Sequence, residues 1–330
     1  MEHDLPLRDL AVHMSSHAKR IGLLLPHWED GYQRGTPRSV DVVESAGVVE
    51  RCGLDSVWLV DHFLSEPYLD EAAHWDVPES WKGLTIGFWE CWTLASAIAT
   101  ATERIQIGTL VSNTGYRNPA LLAQMMNTID DLSEGRLIAG LGAGDFPTEH
   151  KRFGYPFERR VGRFEEALQI ISPLLHGETS RFEGEFYRTD GAELRPKGPS
   201  PDGPPILIGV LLGGPRMNRL VSQYANEWNC WIAENTKVEV YREARAAVMQ
   251  ACEKHARDPS TLRKHATIGV GLPGFKPESP AELRIQGSLG EIADELGRFL
   301  NEDVDHLSVS LRPFSTESIE TFAEIVKRVR

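Results

Sequence analysis

Two residues with acid–base chemistry, Asp61 and His62, follow an apolar run at residues 56–60 (SVWLV). An imidazole titrates near neutral pH, so His62 can serve as a general base or as a hydrogen-bond donor. The carboxylate of Asp61 can fix the tautomer of that imidazole or contact a cofactor ring. The alternative is a structural pair bonded to the backbone, but the position directly after a predicted strand favours catalysis. Asp145, after the sequence GLGAG, is a second candidate acid, and its alternative role is a helix N-cap.

Small and polar residues end two other predicted strands. The apolar runs at residues 105–111 and 136–141 are followed by Ser112, Asn113, Gly142, Ala143 and Gly144. Ligands of α/β folds bind at the carboxyl ends of strands, and glycine lets a backbone approach a flat ring closely. Glycine also suits an ordinary strand-to-loop turn, so this pattern is weak by itself. We interpret these residues as part of a cofactor site.

Two glycines, a proline and an arginine follow a third apolar run at residues 205–210, as Gly213, Gly214, Pro215 and Arg216. The N–H groups at a helix N-terminus bind phosphate, proline is favoured in the first helical turn, and arginine adds positive charge. A plain Gly-Pro helix start is the alternative. The combination predicts a phosphate site in this loop.

The lining of a substrate pocket is predicted from residues near the same strand ends: His27, Trp28, Phe63 and Glu90. Trp228 and Trp231 are weaker candidates because tryptophan inside an apolar run is more often a core residue.

The chain contains about eight alternations of an apolar β-type run with a helical pattern. The predicted strands are residues 20–26, 56–60, 105–111, 136–141, 205–210, 227–232, 266–271 and 306–311. This count is typical of the (β/α)8 TIM barrel, an α/β fold with its active site at the carboxyl ends of the strands. A doubly wound sheet would place GxGxxG after the first strand, where this chain has Pro26-His27-Trp28.

We predict one domain over residues 20–330, preceded by an N-terminal arm at residues 1–19 that lacks periodicity. The aromatic-rich insertion at residues 64–89 is too long for a routine connection, so we expect a functional lid there. The segment 146–157 contains two prolines and is predicted to be a loop, and residues 181–195 are predicted to form a surface hairpin.

The net charge of −13 argues against a nucleic acid or an anionic membrane as the partner. No run approaches the ~20 apolar residues that span a bilayer, and the first twenty residues lack the apolar core of a signal peptide. We therefore expect a cytoplasmic protein. The cysteines show neither CxxC spacing nor a zinc-type histidine pattern, so we expect no metal site and four free thiols: Cys52, Cys91, Cys230 and Cys252.

Longer stretches of the sequence resemble the bacterial luciferase-like family of flavin and deazaflavin oxidoreductases. They include WLVDHF at 58–63, YRNPALLAQ at 116–124, SEGRLIAGLGAG at 133–144 and HKRFGYPFERRVGRFEEAL at 150–168. Within the family, the sequence is most similar to the branch assigned to coenzyme F420. The resemblance implies a luciferase-like TIM barrel with insertion loops at its carboxyl-terminal face.

The resemblance also implies a non-prolyl cis peptide at Leu110–Val111 beneath the central ring of the cofactor, with Ser112 and Asn113 beside it. It implies F420 as the cofactor, with FMN as the alternative. The protein would then be an oxidoreductase that transfers hydride to or from a small organic substrate. His62 would manage the substrate proton, with Asp145 as its partner.

Two other functions stay open at this point. One is a monooxygenase that uses O2 and reduced FMN from a separate reductase, with the insertion at 64–89 shielding the site from water. The other is a non-catalytic barrel that only binds a flavin. In each case the partner is a small molecule, and a homodimer is compatible with the sequence.

Overall fold

The computed structural model describes residues 19–29, 35–66, 82–211, 213–277 and 284–330. Within these residues eight parallel strands form a barrel: β1 Arg20–Leu24, β2 Ser56–Leu59, β3 Gln106–Thr109, β4 Leu137–Gly142, β5 Ile206–Gly209, β6 Glu227–Ile232, β7 Arg263–Gly271 and β8 His306–Arg312. Each strand pairs with its neighbours along the chain, and the pairing of β8 with β1 closes the sheet. The predicted TIM barrel is confirmed.

Helices surround the barrel. In the described part of the chain they are α1 Ser39–Arg51, α2 Cys91–Ala101, α3 Pro119–Leu132, α4 Pro147–Phe153, α5 Arg160–Leu175, α6 Pro215–Tyr224, α7 Val238–Lys254, α8 Leu289–Asn301 and α9 Thr316–Val329. Several begin at caps visible in the sequence. Asn118 accepts hydrogen bonds from the first turn of α3, and Ser288 with Glu291 forms the predicted capping box of α8.

The segment 146–157, predicted to be a loop, contains the helix α4, so that prediction is wrong in part. Pro147 occupies the first turn of the helix, where the missing N–H costs nothing. Gly154 ends it with φ 76°, a left-handed conformation that glycine adopts readily. The two prolines and the glycine therefore frame a short helix.

Two antiparallel pairs lie outside the barrel. Strands Leu64–Ser65 and Ile86–Gly87 bound the long insertion, and strands Ser180–Glu183 and Arg188–Ala192 form the predicted hairpin. The central part of the predicted lid (67–81) and most of the N-terminal arm (1–18) lie outside the described residues. No helix in the described ranges is both long and apolar enough to cross a membrane. All four cysteines are free.

The inside of the barrel has an apolar part and a polar part. Its apolar part comprises Leu24, Trp58, Val60, Leu110, Ile138 and Leu207. Removing each such side chain from water stabilises the fold by roughly 1.5–3 kcal/mol. Below it, at the amino ends of β6, β7 and β8, lie Glu227, His265 and His306, all buried. Because carboxylates and imidazoles are metal ligands, this polar group is where the prediction of no metal site has to be examined.

Oε1 of Glu227 lies 3.0 Å from Nδ1 of His265 and 3.1 Å from Nδ1 of His306. We define these three residues as the amino-end cluster. Their candidate ligand atoms lie within 4.8 Å of one another. The two imidazole rings, however, are stacked with an interplanar angle of 12°. Because a metal ion must lie close to the plane of each imidazole that binds it, stacked rings do not converge on one ion. The cluster is better described as two stacked imidazoles whose Nδ1 atoms face the same carboxylate oxygen.

Candidate active site

His62 lies just beyond the carboxyl end of β2, as predicted. Its imidazole stacks on Phe146, with ring centroids 4.5 Å apart, and contacts Phe88 at 5.3 Å. Nδ1 lies 2.9 Å from Oε2 of Glu149, and the side chain is 19% exposed. No described residue forms a hydrogen bond with Nε2. One ring nitrogen is therefore fixed by the protein, and the other is available to a ligand.

The partner of His62 is Glu149 in α4, a residue that the sequence analysis missed. Its carboxylate also accepts hydrogen bonds from the N–H groups of Phe63 and Leu64 and from the hydroxyl of Tyr116. Burial disfavours a charged carboxylate here, but the hydrogen bonds from His62 and Tyr116 outweigh burial and lower the pKa of Glu149. A glutamate in the first turn after Pro147 is the signal that was available, once the segment is recognised as a helix.

The charge of His62 follows from this environment. Burial opposes protonation of the ring, but the hydrogen bond to Glu149 and the charges of Asp145, Glu149 and Asp61 raise the pKa of His62 to about 9. This shift favours the protonated imidazole at neutral pH. A protonated ring suits the predicted role of hydrogen-bond donor better than that of general base, and both roles stay predictions.

Asp145 is exposed at the loop after β4, where its charge acts on His62. The N-cap of α4 is Phe146, so the alternative of Asp145 as an N-cap is wrong.

Asp61 is buried and fully engaged by protein groups. It accepts hydrogen bonds from Ser112 Oγ at 2.7 Å and Asn113 N at 3.1 Å, and both its oxygens contact Arg117. Arg117 also contacts Glu90 at 2.6 Å, and Glu90 in turn caps α2. The structure thus brings Asp61, Glu90, Ser112 and Asn113 together. Their polar atoms mainly hold the ends of β2 and β3 in place.

The peptide bond Leu110–Val111 is cis, as the family resemblance implied. The side chain of Val111 explains two glycines at neighbouring strand ends. A Cβ on Gly142 would lie 2.5 Å from Val111 Cγ2, and one on Gly209 would lie 3.0 Å from Val111 Cγ1. Gly142 is therefore required by a contact within the protein, whereas the sequence analysis had explained it by a cofactor. Gly144 has φ 84° and packs against Asn113, and Ala143 lies half-buried between the two glycines.

Of the residues predicted to line a substrate pocket, Trp28 lies over the barrel interior, whereas His27 and Phe63 are held by contacts within the protein. Trp28 packs with Phe88, Val111 and Trp231 over the apolar interior of the barrel. His27 is completely buried, with its two ring nitrogens 2.9 Å from the carbonyl oxygens of Leu25 and Val60. Phe63 packs on Tyr116, Phe153 and Tyr155. Trp228 belongs to the core, where it stacks on Tyr241.

The loop predicted to bind phosphate opens α6, with Gly214 as the N-cap and Pro215 in the first turn. A Cβ on Gly214 would meet no atom within 4 Å, whereas one on Gly213 would lie 2.3 Å from Val210. Arg216 is more than half exposed and contacts Glu165 at 2.7 Å, so its charge is shared. The helix start is open to an anion, and the guanidinium is already paired. Leu212 lies outside the described residues.

Comparison with known proteins identifies relatives of this chain. Residues 20–282 match the model of the family described as luciferase-like monooxygenase. The F420-dependent glucose-6-phosphate dehydrogenase of Amycolatopsis mediterranei (strain U-32) is 35% identical over 191 residues, 56% of this chain and 50% of that protein. The 5,10-methylenetetrahydromethanopterin reductase of Archaeoglobus fulgidus is 30% identical over 236 residues, 72% of this chain and 62% of that protein. The chain thus matches about half to two thirds of the length of these relatives.

Solved structures share the fold. An F420-dependent secondary alcohol dehydrogenase in complex with an F420-acetone adduct gives a TM-score of 0.71 at 20% identity, covering 95% of this chain and all of that one. The coenzyme F420 dependent tetrahydromethanopterin reductase from Methanopyrus kandleri gives 0.73 at 16% identity, covering 95% of this chain and all of that one. Since the family model matches from residue 20 to residue 282, the chain belongs to the luciferase-like monooxygenase family.

Proposed function

We propose that the chain is an F420-dependent oxidoreductase that transfers hydride between the deazaflavin and a small organic substrate. The observation that carries this proposal is a continuous rim at the carboxyl ends of the strands. His62 contacts Phe88, and Phe88 packs in the same apolar group as Val111. Val111 in turn faces Gly209 at the end of β5, the strand that leads to the loop opening α6.

This rim fits a planar cofactor that carries a phosphate. Val111, Trp28 and Trp231 provide an apolar surface for a flat ring. The start of α6, where no described side chain caps the helix, provides N–H groups for the phosphate. The open space beside Gly214 is where a phosphate can lie. The named relatives are F420-dependent or act in methanopterin chemistry, which supports F420 over FMN.

When bound, F420 would supply two-electron hydride chemistry, because a carbon replaces the reactive ring nitrogen of flavins. The chain would supply position, charge and the exclusion of water. His62 would exchange a proton with the substrate through Nε2, and Asp145 would add negative charge beside it. Arg117 would keep Asp61 and Glu90 neutralised and the ends of β2 and β3 fixed.

A fluorescence titration of the purified protein with F420, and separately with FMN, tests this proposal. We expect F420 to bind more tightly. Gly214→Val should weaken F420 binding at least tenfold, because the new side chain occupies the space for the phosphate. Arg216→Ala should weaken binding only a few-fold, because Glu165 already pairs with that charge.

Arg181→Ala is a matched control, since it breaks an exposed ion pair with Asp190 in the surface hairpin. Its affinity should equal that of the parent. Binding of FMN but not F420 would reject the proposal in favour of the flavin monooxygenase. Cofactor binding without hydride transfer to or from any small molecule would favour the non-catalytic barrel.

A further inference from the structure

We propose that Glu149 and Tyr116 are positioning residues that hold His62 as an imidazolium, with Nε2–H facing the pocket, for a substrate that gains a proton as it gains hydride. The role in hydride transfer rests on the proposed function. The state of His62 does not, because it follows from contacts within the chain.

Glu149 is a fixed anion. Its two oxygens receive four donors: Nδ1–H of His62, the hydroxyl of Tyr116 and the N–H groups of Phe63 and Leu64. The side chain is fully buried. Protonating this carboxylate would break at least one of these hydrogen bonds and leave a buried donor unpaired, which costs free energy. Glu149 therefore does not take the Nδ1 proton of His62.

Aromatic neighbours hold the imidazole of His62 in this orientation. Phe146 stacks on one face of the imidazole and Phe88 lies against it at 5.3 Å. Tyr116, which holds Glu149, is itself packed between Phe63 and His150, with centroid distances of 4.8 and 4.7 Å. With Nδ1 held by Glu149, Nε2 on the opposite edge of this partly exposed ring forms no hydrogen bond with any described residue.

Among the described residues, the other charges that face His62 are mostly negative. Asp145 on the loop after β4 and Asp61 at the end of β2 both favour the imidazolium, and Arg117 partly cancels Asp61. His27 at the end of β1 would oppose it if charged, but burial lowers the pKa of His27. The hydroxyl of Tyr116 stays protonated, because burial and the charge of Glu149 raise its pKa. Among the described residues, the charges around this ring are therefore mainly negative, which favours the protonated form of His62.

The chemistry that follows is a reduction. The substrate carbon of a carbonyl group takes hydride from reduced F420, the π electron pair moves to oxygen, and that oxygen takes the Nε2 proton of His62. The products are an alcohol, oxidised F420, which releases its second added hydrogen to solvent as a proton, and a neutral imidazole that regains its proton from solvent. In the reverse direction an alcohol needs the neutral imidazole as its base, and that form predominates only above about pH 9.

Nuclear magnetic resonance titration of the histidine rings in the cofactor-free protein tests the claim directly. The His62 resonance is identified by its loss in His62→Gln. We expect its midpoint well above 8 in the parent, at least 1.5 pH units lower in Glu149→Gln, and less displaced in Asp145→Asn, which removes a charge without a hydrogen bond. A parent midpoint at or below 6.5 overturns the proposal whether or not the variant folds. An unchanged midpoint in Glu149→Gln overturns it equally.

A kinetic readout separates positioning from a merely structural role. For carbonyl reduction, kcat/KM of the parent should be level up to about pH 9, whereas Glu149→Gln should lose about tenfold per pH unit above its lowered midpoint. Alcohol oxidation that is level between pH 6 and 8 contradicts the proposal. Since the titration uses no cofactor and the F420 titration uses no substrate, failure of this inference and failure of the proposed function are distinguishable.

Discussion

At the carboxyl end of the barrel Glu149 contacts a single imidazole, whereas at the amino end Glu227 faces two. Both carboxylates are buried, and hydrogen bonds to histidine help to lower the pKa of each. The histidines nevertheless differ. The pKa of His62 is raised to about 9, and that of His306 is lowered to about 4, with burial as the largest cause.

The difference comes from what surrounds each ring. His62 has Asp145 and Asp61 as further anions and keeps one nitrogen beside a partly exposed surface. His306 is buried, shares its only carboxylate with His265, and feels the positive charge of Arg20. Burial and the neighbouring His265 thus outweigh the favourable charge of Glu227 at His306. A histidine–carboxylate contact therefore indicates neither charge nor function until the rest of the environment is known.

The Nε2 atoms of His306 and His265 also differ from that of His62 in their hydrogen bonds. Nε2 of His306 lies 2.7 Å from Ser56 Oγ, which also accepts the indole N–H of Trp58, and Nε2 of His265 lies 2.9 Å from Ser308 Oγ. Both of these Nε2 atoms thus have a serine hydroxyl as a hydrogen-bond partner inside the protein, whereas Nδ1 of His265 lies 3.0 Å from Glu227 Oε1 without hydrogen-bond geometry. At His62 one nitrogen has no described partner, as a catalytic group requires.

The strongest way to break this comparison is to remove one histidine from each end. His62→Ala should lower turnover by about 10²–10⁴-fold, the range for a lost acid–base group, with nearly unchanged F420 affinity. His306→Ala should lower the free energy of unfolding by roughly 2–4 kcal/mol, because it leaves a cavity and unpaired polar groups, with turnover of the folded protein intact. Steady-state kinetics and denaturant unfolding of both variants measure this. The prediction is wrong if His306→Ala abolishes turnover of the folded protein and His62→Ala lowers only the free energy of unfolding.

Unfolding midpoints measured over a pH series sharpen the comparison. The pKa of His62 is raised and that of His306 is lowered, so the two histidines make stability depend on pH in opposite directions. The folded pKa of His62 lies above the ordinary 6.5, so its contribution is full below 6.5 and is lost as the pH rises towards 9. The folded pKa of His306 lies below 6.5, so its contribution is full above 6.5 and is lost as the pH falls towards 4.

We call the loss of stability above pH 6.5 the alkaline limb and the loss below pH 6.5 the acid limb. Each histidine should contribute at most about 3 kcal/mol to the free energy of unfolding lost in its limb. Thermal unfolding of His62→Asn should lack the alkaline limb, and that of His306→Asn should lack much of the acid limb, with the parent showing both. Glu149 and Glu227, whose pKa values are lowered, add to the acid limb of every variant that keeps them. If His306→Asn left the acid limb at full size, the cluster would not be titrating in this range.

The smallest expected effect concerns the ring stacked on His62. Phe146→Leu keeps an apolar side chain but loses the stacking contact at 4.5 Å, a contribution of about 0.5–1.5 kcal/mol. Turnover should fall roughly 3- to 10-fold, with the His62 midpoint still well above that of a free imidazole. Phe157→Leu is the matched control, because Phe157 contacts His150 and not His62. Equal losses in the two variants would mean that stacking on His62 is not what matters.

Much of the fold was predictable because its causes are local. Apolar runs of strand length, helical spacing and caps such as Asn118 and Ser288 appear in the sequence itself, and the structure confirms the elements they predicted. The wrong prediction at α4 has a local cause too. The two prolines of the segment 146–157 indicate a loop, whereas in the structure Pro147 begins a helix that ends at Gly154. Strand β7 begins at Arg263, earlier than predicted, because Glu227 pairs with it across the sheet.

The sequence by itself determined the barrel, the rim on which His62 lies and the family. Each follows from the order and spacing of residues along the chain. Only the tertiary structure decided which carboxylate meets which base. Glu149 is 87 residues from His62, and Arg117 is 56 residues from Asp61. Pairings over such separations depend on how the closed sheet brings the chain together, and the resulting charges depend on burial and distances that no local pattern contains.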